Sequence, residues 1–134
     1  MRILGVDLGR RRTGLALSDP LGMTCAPLEV VEERDGELLL LRIVEVASER
    51  KVGTIVVGLP RPLRGGTNRQ LESVLQFVEA LKMRIGIEVA TWDERFTSRL
   101  AEKGRRRTTA LDAVAACYML QGYLDHRAGM RGET

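Results

Sequence analysis

The sequence has 134 residues, of which 44% are apolar and 29% are charged, a composition typical of one compact domain with a single core. It excludes an intrinsically disordered chain, and no apolar run approaches the ~18 to 20 residues of a membrane span. No basic leader with an apolar stretch and a cleavage site opens the sequence, so we expect a cytoplasmic protein. The net charge of +3 is too small to indicate a nucleic-acid partner by itself.

The first thirty residues predict an antiparallel meander of three strands. Ile3–Asp7 and Gly14–Ser18 are short apolar segments separated by a basic turn, and Thr24–Val31 follows the turn signal Asp19–Gly22. The basic turn holds one of two arginine triplets, Arg10–Arg12. Such a triplet standing alone is typical of a solvated loop.

Helical spacing begins after the meander. We predict helices over 37–50, 68–84, 97–103 and 110–126, and strands over 54–58 and 88–92. Gly53 is expected to end the first helix, and Thr67 or Asn68 to cap the second. The predicted inward residues of the three longer helices are Leu38, Leu41, Val44 and Ala47; Leu71, Val74, Leu75, Val78 and Leu81; and Leu111, Val114, Ala115 and Tyr118.

These elements predict an α/β fold, a mixed five-stranded sheet with helices on both faces. Right-handed β-α-β crossovers place the strands at 54–58 and 88–92 parallel to the first strand. We expect one domain over residues 1–126 and a frayed tail over 127–134. Cys25 and Cys117 are expected to be buried small side chains rather than a disulfide or a metal site, and His126 to be solvated.

Carboxylates follow or begin three of these elements. Asp7 ends the first strand, Asp93 and Glu94 follow the last strand, and Asp112 begins the last helix. Each has a local explanation: Asp7 as the start of a turn, Asp112 as a helix cap, and Asp93 or Glu94 as surface charges. Consecutive residues of an extended chain point to opposite faces, so at most one of Asp93 and Glu94 is expected to point towards Asp7.

The position of these acids favours a shared function, because ligands gather at the carboxyl ends of parallel strands. Crowded carboxylates repel one another, and a divalent cation removes that conflict. Oxygen ligands without histidine or cysteine select Mg²⁺ or Mn²⁺. Two such ions ~3.5 to 4 Å apart catalyse in-line phosphodiester hydrolysis. The triplets Arg10–Arg12 and Arg105–Arg107 flank these acids in the sequence and could hold a phosphate backbone.

Four segments in order resemble the motifs of the YqgF/RuvX family, RNase H-like and Holliday-junction-resolvase-like proteins regarded as candidate pre-16S rRNA nucleases. They are Gly5-Val-Asp7-Leu-Gly9-x-x-Arg12-x-Gly14-x-Ala16-x-Ser18-Asp19, Val57-Gly58-Leu-Pro60 with Gly65, Trp92-Asp93-Glu94-Arg95-Phe-Thr97-Ser, and Asp112-Ala-Val-Ala-Ala116-Cys-Tyr-Met-Leu120-Gln121. The resemblance covers residues 1 to about 125, nearly the whole chain.

The resemblance implies an RNase H-like fold, divalent-metal nuclease chemistry and a bacterial, cytoplasmic role in maturing the 5′ end of small-subunit ribosomal RNA. Asp7, Glu94 and Asp112 match the family's metal-binding carboxylates, with Asp93 as the neighbouring alternative. Arg12, Arg95 and Thr97 match motif positions that serve the phosphate backbone or brace the acids. The segment between Arg99 and Asp112 is shorter than is usual in the family, which leaves the identity of the nucleic acid more open than the reaction.

Several alternatives stay open from the sequence. The substrate is structured RNA or, as the second choice, a branched DNA junction, and the protein is a monomer or a homodimer with no membrane partner. Asp7-Leu-Gly9 and Thr13-Gly14 also resemble the phosphate loop of actin-like and sugar-kinase ATPases, although 134 residues supply at most one half of such a cleft. A non-catalytic RNA-binding protein of ribosome assembly is a third reading. Trp92 and Phe96 are candidates for base stacking or for the core.

Overall fold

The computed structural model describes residues 1–60, 65–94 and 109–130. The predicted short helix over residues 97–103 lies outside these residues. The described chain contains five strands: β1 (Arg2–Leu8), β2 (Thr13–Ser18), β3 (Cys25–Val31), β4 (Val52–Leu59) and β5 (Glu88–Asp93). They form one sheet of order β3-β2-β1-β4-β5. The β1–β2 and β2–β3 pairs are antiparallel, whereas β1–β4 and β4–β5 are parallel, which confirms the predicted mixed sheet.

In the described residues, three helices cover the sheet: α1 (Gly36–Glu49), α2 (Arg69–Arg84) and α3 (Thr109–Met130). Two of them begin at capping side chains. Asp35 accepts hydrogen bonds from the backbone N–H groups at the start of α1, and Asn68 accepts one at the start of α2, which decides between its two predicted caps. Helix α3 continues to Met130, so its last turn occupies part of the segment that we expected to fray.

The sheet separates two apolar cores. Leu4 and Val57 belong to a core shared with α1 and α2, whereas Ile3 and Val56 belong to a core shared with α3. We call these two sides of the sheet the α1/α2 face and the α3 face. Helices therefore lie on both faces, as predicted. Because side chains alternate along a strand, each strand residue can be assigned to one face.

The predicted inward faces of the helices were wrong in part. In α1, Leu38 and Leu41 are exposed, while the buried residues are Leu39, Leu40, Ile43, Val46 and Ala47. Four consecutive leucines fit any helical phase, so the sequence pattern left the orientation undetermined. In α2, Leu75 is the one predicted inward residue that is not buried, since it is 39% exposed.

Helix α3 shows the largest departure, because Tyr118 is exposed and Leu111, Val114 and Ala115 are only half-buried. The buried residues include Ala113, Ala116, Met119, Leu120 and Leu124. Gly5, Gly14 and Gly58 of the sheet lie against this face, and their lack of side chains permits its close approach.

The predicted helix-ending glycine was also misplaced. The backbone turns out of α1 at Arg50 and at Lys51, which has a φ of 54°, while Gly53 lies inside β4. A Cβ at Gly53 would come within 2.8 Å of the Met1 side chain, so the glycine makes room for the amino terminus instead.

The two cysteines are half-buried rather than buried, and they contact each other across β3 and α3. Their sulfur atoms lie 3.3 Å apart, and the Cys25 thiol donates to the Cys117 carbonyl at 3.2 Å. His126 is exposed on one side, as expected, while its ring centroid lies 5.2 Å from that of Trp92. None of the described helices is long and apolar enough to cross a membrane.

Candidate active site

Asp7 lies near the carboxyl end of β1, on the α3 face. Asp7 comes two residues after Gly5 in the strand, so the two residues lie on the same face of the sheet. A Cβ at Gly5 would come within 2.9 Å of the Leu120 side chain of α3. Its Cα pairs with that of Gly14 in the neighbouring strand β2. Asp7 is therefore a half-buried acid at the sheet edge covered by the start of α3.

Asp112 reaches this edge because Gly14 has no side chain. A Cβ at Gly14 would collide with the backbone carbonyl of Asp112, so α3 rests directly on β2 at this point. The residue is 7% exposed and lies in the first turn of the helix. Since Gly14 is the cross-strand partner of Asp7, the close contact brings the backbone of Asp112 next to Asp7.

Glu94 reaches the same face from the end of β5. A Cβ at Gly58 in β4 would come within 2.9 Å of Cγ of Glu94 and 3.1 Å of Cγ of Met119 in α3. Gly58 thus leaves the space in which the Glu94 side chain lies between the sheet and α3. The neighbouring Asp93 pairs with Leu59, a residue of the α1/α2 core, so alternation assigns Asp93 to the opposite face.

Arg12 lies beside the acids and pairs with one of them. Its Nε is 2.8 Å from Oδ2 of Asp112, and the two side chains are 34% and 10% exposed. The guanidinium offsets the charge of a nearly buried carboxylate and fixes its orientation. This contact is compatible with bracing an acid, and the binding of a phosphate backbone by Arg12 stays a prediction. Arg10 and Arg11, from the same turn, are exposed to solvent.

The donor set fits a hard divalent cation, because its ligands would be carboxylate oxygens. In the part of the chain that the structure describes, however, no three histidine, cysteine, aspartate or glutamate side chains lie close enough together to hold a metal ion. The acids share one edge without forming a closed cage. Mg²⁺ typically uses only one or two protein carboxylates with waters and substrate phosphates, so an open arrangement is compatible with it.

Several predicted site residues lie outside the described residues. They are Arg95, Thr97 and the second triplet, Arg105, Arg106 and Arg107. Phe96 lies outside as well. Trp92 packs in the α3 core, with its ring centroid 6.1 Å from that of Tyr123 in an edge-to-face arrangement, which gives it a core position.

Sequence reasoning missed the part played by Gly14 and Gly58. Both were noted as members of motifs, but neither was predicted to admit a specific neighbour. The available signal was a glycine within a strand pattern, which often marks a close approach of backbone or side chain. Only the contact with α3 and Glu94 identifies what approaches.

Comparisons with known proteins identify the family and the fold of the chain. A relative from Desulforamulus reducens, named as a candidate pre-16S rRNA nuclease, is 41% identical over 137 residues, covering 96% of this chain and 99% of its own. The fold matches RuvC of Thermus thermophilus, solved with a Holliday junction substrate, with a TM-score of 0.62 at 20% identity and 96% coverage of both chains. This likeness confirms the RNase H-like fold.

A more distant structural likeness bears on the alternative kinase-like reading. The ROK hexokinase from Thermus thermophilus matches with a TM-score of 0.51 at 24% identity, over 76% of this chain but only 37% of the hexokinase. A likeness at this level concerns the fold alone. The sequence model of the RuvX family, described as Holliday junction resolvase, matches residues 1–126. On the strength of this match and of the relatives that cover nearly its whole length, the chain belongs to the RuvX family.

Proposed function

We propose that this chain is a metal-dependent nuclease that hydrolyses phosphodiester bonds, with Asp7, Glu94 and Asp112 as its metal-holding carboxylates. The observation that carries the proposal is the convergence of acids from three distant segments on one end of the α3 face. Membership of a family described as Holliday junction resolvase supports the same reaction class. Asp93 is the alternative ligand, and its assignment to the opposite face favours Glu94.

The cofactor we propose is Mg²⁺ or Mn²⁺. When bound, such a cation lowers the pKa of an attacking water and stabilises the leaving oxygen of a phosphodiester. The protein's contribution is to hold its carboxylates on rigid elements, with Arg12 orienting Asp112. Arg10 and Arg11, exposed beside Asp7, would bind the phosphates of the approaching backbone.

The remaining basic residues extend the proposed nucleic-acid surface. Arg95 and Thr97 follow Glu94 in the sequence, and Arg105–Arg107 precede the first turn of α3. Guanidinium groups bind phosphate oxygens in a bidentate manner, which suits a polyanionic backbone near carboxylates that repel it. We assign these residues to backbone binding without sequence preference.

The substrate we favour is structured RNA, with processing of the 5′ end of pre-16S rRNA in the bacterial cytoplasm as the role. The name of the D. reducens relative supports this choice. A branched DNA junction is the second candidate, supported by the description of the family and by the Holliday junction substrate in the RuvC complex. Symmetric cutting of a junction needs two active sites and hence a dimer, whereas trimming an RNA end needs one.

A cleavage assay tests the proposal. Structured RNA and four-way DNA junctions are incubated with Mg²⁺, Mn²⁺ or EDTA, using the native chain, Asp7→Asn and the exposed control Glu79→Gln. We expect cleavage with either metal, none with EDTA, and a loss with Asp7→Asn above the roughly 10- to 100-fold that an outer-shell partner costs. Cleavage that survives both EDTA and Asp7→Asn would overturn the mechanism.

Cleavage together with equilibrium binding of labelled ATP and of the RNA separates the other readings. A nucleotide-binding module would bind ATP with low-micromolar affinity and cleave nothing. A non-catalytic RNA-binding protein would bind the RNA and leave it intact at every metal concentration.

A further inference from the structure

A cavity lies next to the proposed active site, on the other side of the sheet. Its volume is about 390 Å³, within the range of small-ligand sites, and it opens between the end of β1 and the first turns of α1 and α2. Leu8 and Gly9 form the part contributed by β1. Since Leu8 directly follows Asp7, the cavity begins about 3.3 Å along the strand from a proposed metal ligand.

The polar lining of this cavity is cationic. Arg10, Arg34 and Arg69 line it, and Glu33 is the one acid among the described residues of the lining. Within the described part of the chain, none of the three arginines forms an ion pair. Glu33 accepts a hydrogen bond from the backbone N–H of Asp35 at 3.2 Å, which ties it to the entrance of α1. Three guanidinium groups against one carboxylate leave a net charge of +2, which favours an anionic ligand.

The apolar part of the lining indicates that the ligand also has an apolar or aromatic group. Phe77 and Leu8 are half-buried and pack against the core while also lining the cavity, together with Val74 and Leu39. An inorganic anion would gain nothing from an aromatic ring and aliphatic walls. A nucleotide fits both parts, since its base packs on an aromatic side chain and its phosphate binds guanidinium groups.

We propose that this cavity binds one unpaired nucleotide of the substrate strand, adjacent to the phosphodiester that is cut. Arg34 and Arg69 hold its phosphate, and Phe77 contacts its base. Arg10 lies in the turn that joins the two sites, so the strand passes from the α3 face to the α1/α2 face across the carboxyl end of β1. This inference rests on the proposed nuclease function and defines its substrate as a strand with an unpaired nucleotide beside the cut.

Equilibrium binding in EDTA tests the proposal separately from cleavage. The ligands are a labelled RNA duplex with blunt ends, the same duplex with a one-nucleotide overhang, and the overhang with an abasic residue. The variants are Arg69→Ala, Arg34→Ala and Phe77→Leu, with the exposed Arg50→Ala at the other end of α1 as the matched loss of one charge.

We expect the overhang to bind tighter than the blunt duplex by about tenfold, the value of one stacked base with its phosphate. Arg69→Ala and Arg34→Ala should remove this advantage, whereas Arg50→Ala should weaken both ligands equally. Phe77→Leu should act on the overhang and leave the abasic ligand unchanged. If Phe77→Leu fails to fold, the abasic ligand with the native chain still reports the base contact.

Two results would overturn the inference. In the first, the arginine variants weaken blunt and overhang ligands to the same extent as Arg50→Ala, which would make these arginines solvated cations. In the second, a free nucleoside monophosphate binds with micromolar affinity while the overhang adds nothing, which would make the cavity a site for free nucleotides. Neither result depends on whether Asp7→Asn abolishes cleavage, so failure here is distinct from failure of the nuclease proposal.

Discussion

Arg12 and Asp112 form an ion pair that joins the β1–β2 turn to the first turn of α3, with Nε 2.8 Å from Oδ2. One partner is a third exposed and the other is nearly buried, so the pair lies at the boundary between solvent and core. It fixes the orientation of an acid that the proposed mechanism needs. The same contact ties the start of α3 to the sheet edge.

Replacing Arg12 with alanine should destabilise the fold, because the nearly buried Asp112 carboxylate would lose the cation that offsets its charge. We expect a loss of about 1 to 3 kcal/mol in the free energy of unfolding, towards the lower end because Arg12 is partly solvated. Urea denaturation measures this loss. Arg11→Ala, in the same turn but exposed, should change the value by less than about 0.5 kcal/mol. Equal effects of the two substitutions would contradict a structural role for the pair.

Gly14 should be intolerant of any side chain, because a Cβ there collides with the backbone of Asp112 rather than with a movable side chain. We expect Gly14→Ala to destabilise by at least about 1 to 3 kcal/mol, the usual effect of overpacking, and to reduce cleavage by displacing Asp112. Gly129→Ala is the matched control in α3, where an added Cβ meets nothing within 4 Å. Because Gly129 is exposed and next to the end of α3, this substitution should change the free energy of unfolding by less than about 0.5 kcal/mol. A stable, fully active Gly14→Ala protein would show that α3 need not lie so close to β2.

Substitutions of Glu94 and Asp93 should differ sharply in their effect on the cleavage rate, because of the two residues only Glu94 lies beside Gly58 on the α3 face. Under the proposed mechanism, Glu94→Gln should reduce cleavage beyond the roughly 10- to 100-fold of an outer-shell partner, while Asp93→Asn should retain most of it. Single-turnover rates at saturating Mn²⁺ measure the difference. The reverse order would make Asp93 the ligand and would require β5 to present its last residue to the other face.

Cys25 should react slowly with alkylating agents in the folded protein. Burial raises the pKa of its thiol, and the adjacent Cys117 thiol raises it further, so the reactive thiolate is scarce at pH 8. Iodoacetamide labelling, followed by peptide mass spectrometry, should modify Cys25 much faster in urea than in buffer. Equal rates would contradict the protected environment.

The same pKa shift predicts how stability depends on pH. An unfolded thiol ionises from about pH 8.5, whereas the folded Cys25 stays protonated, so the unfolded state binds fewer protons as the pH rises. The free energy of unfolding should therefore decrease steadily as the pH rises above about 8.5. Cys25→Ala should make this decrease shallower, as urea denaturation at each pH would show. An unchanged slope would exclude Cys25 as its source.

The sequence by itself determined the strands and the three helices of the described residues, their order and the mixed character of the sheet. Strand lengths, turn signals and helical spacing are local properties, and the rule for right-handed crossovers converts them into a topology. It also indicated the acids at the sheet edge, because Asp7 ends a strand, Glu94 follows one and Asp112 opens a helix. These positions follow from the chain order alone.

The orientation of each helix depended on the tertiary structure. The run Leu38–Leu41 satisfies several helical phases, and only packing against β4 selects Leu39 and Leu40. In α3, the face with Ala113, Ala116 and Leu120 is buried against strand positions that include Gly5 and Gly14. A helix with apolar residues on several sides carries no sequence signal for that choice.

The tertiary structure alone decided which neighbours the acids have. Nothing local indicates that Gly14 admits the backbone of Asp112, that Gly58 admits Glu94, or that Arg12 pairs with Asp112. These contacts join residues far apart in the sequence, and they exist only once α3 has packed on the sheet. Sequence periodicity assigns a residue to a face, but close packing between elements decides what that residue touches.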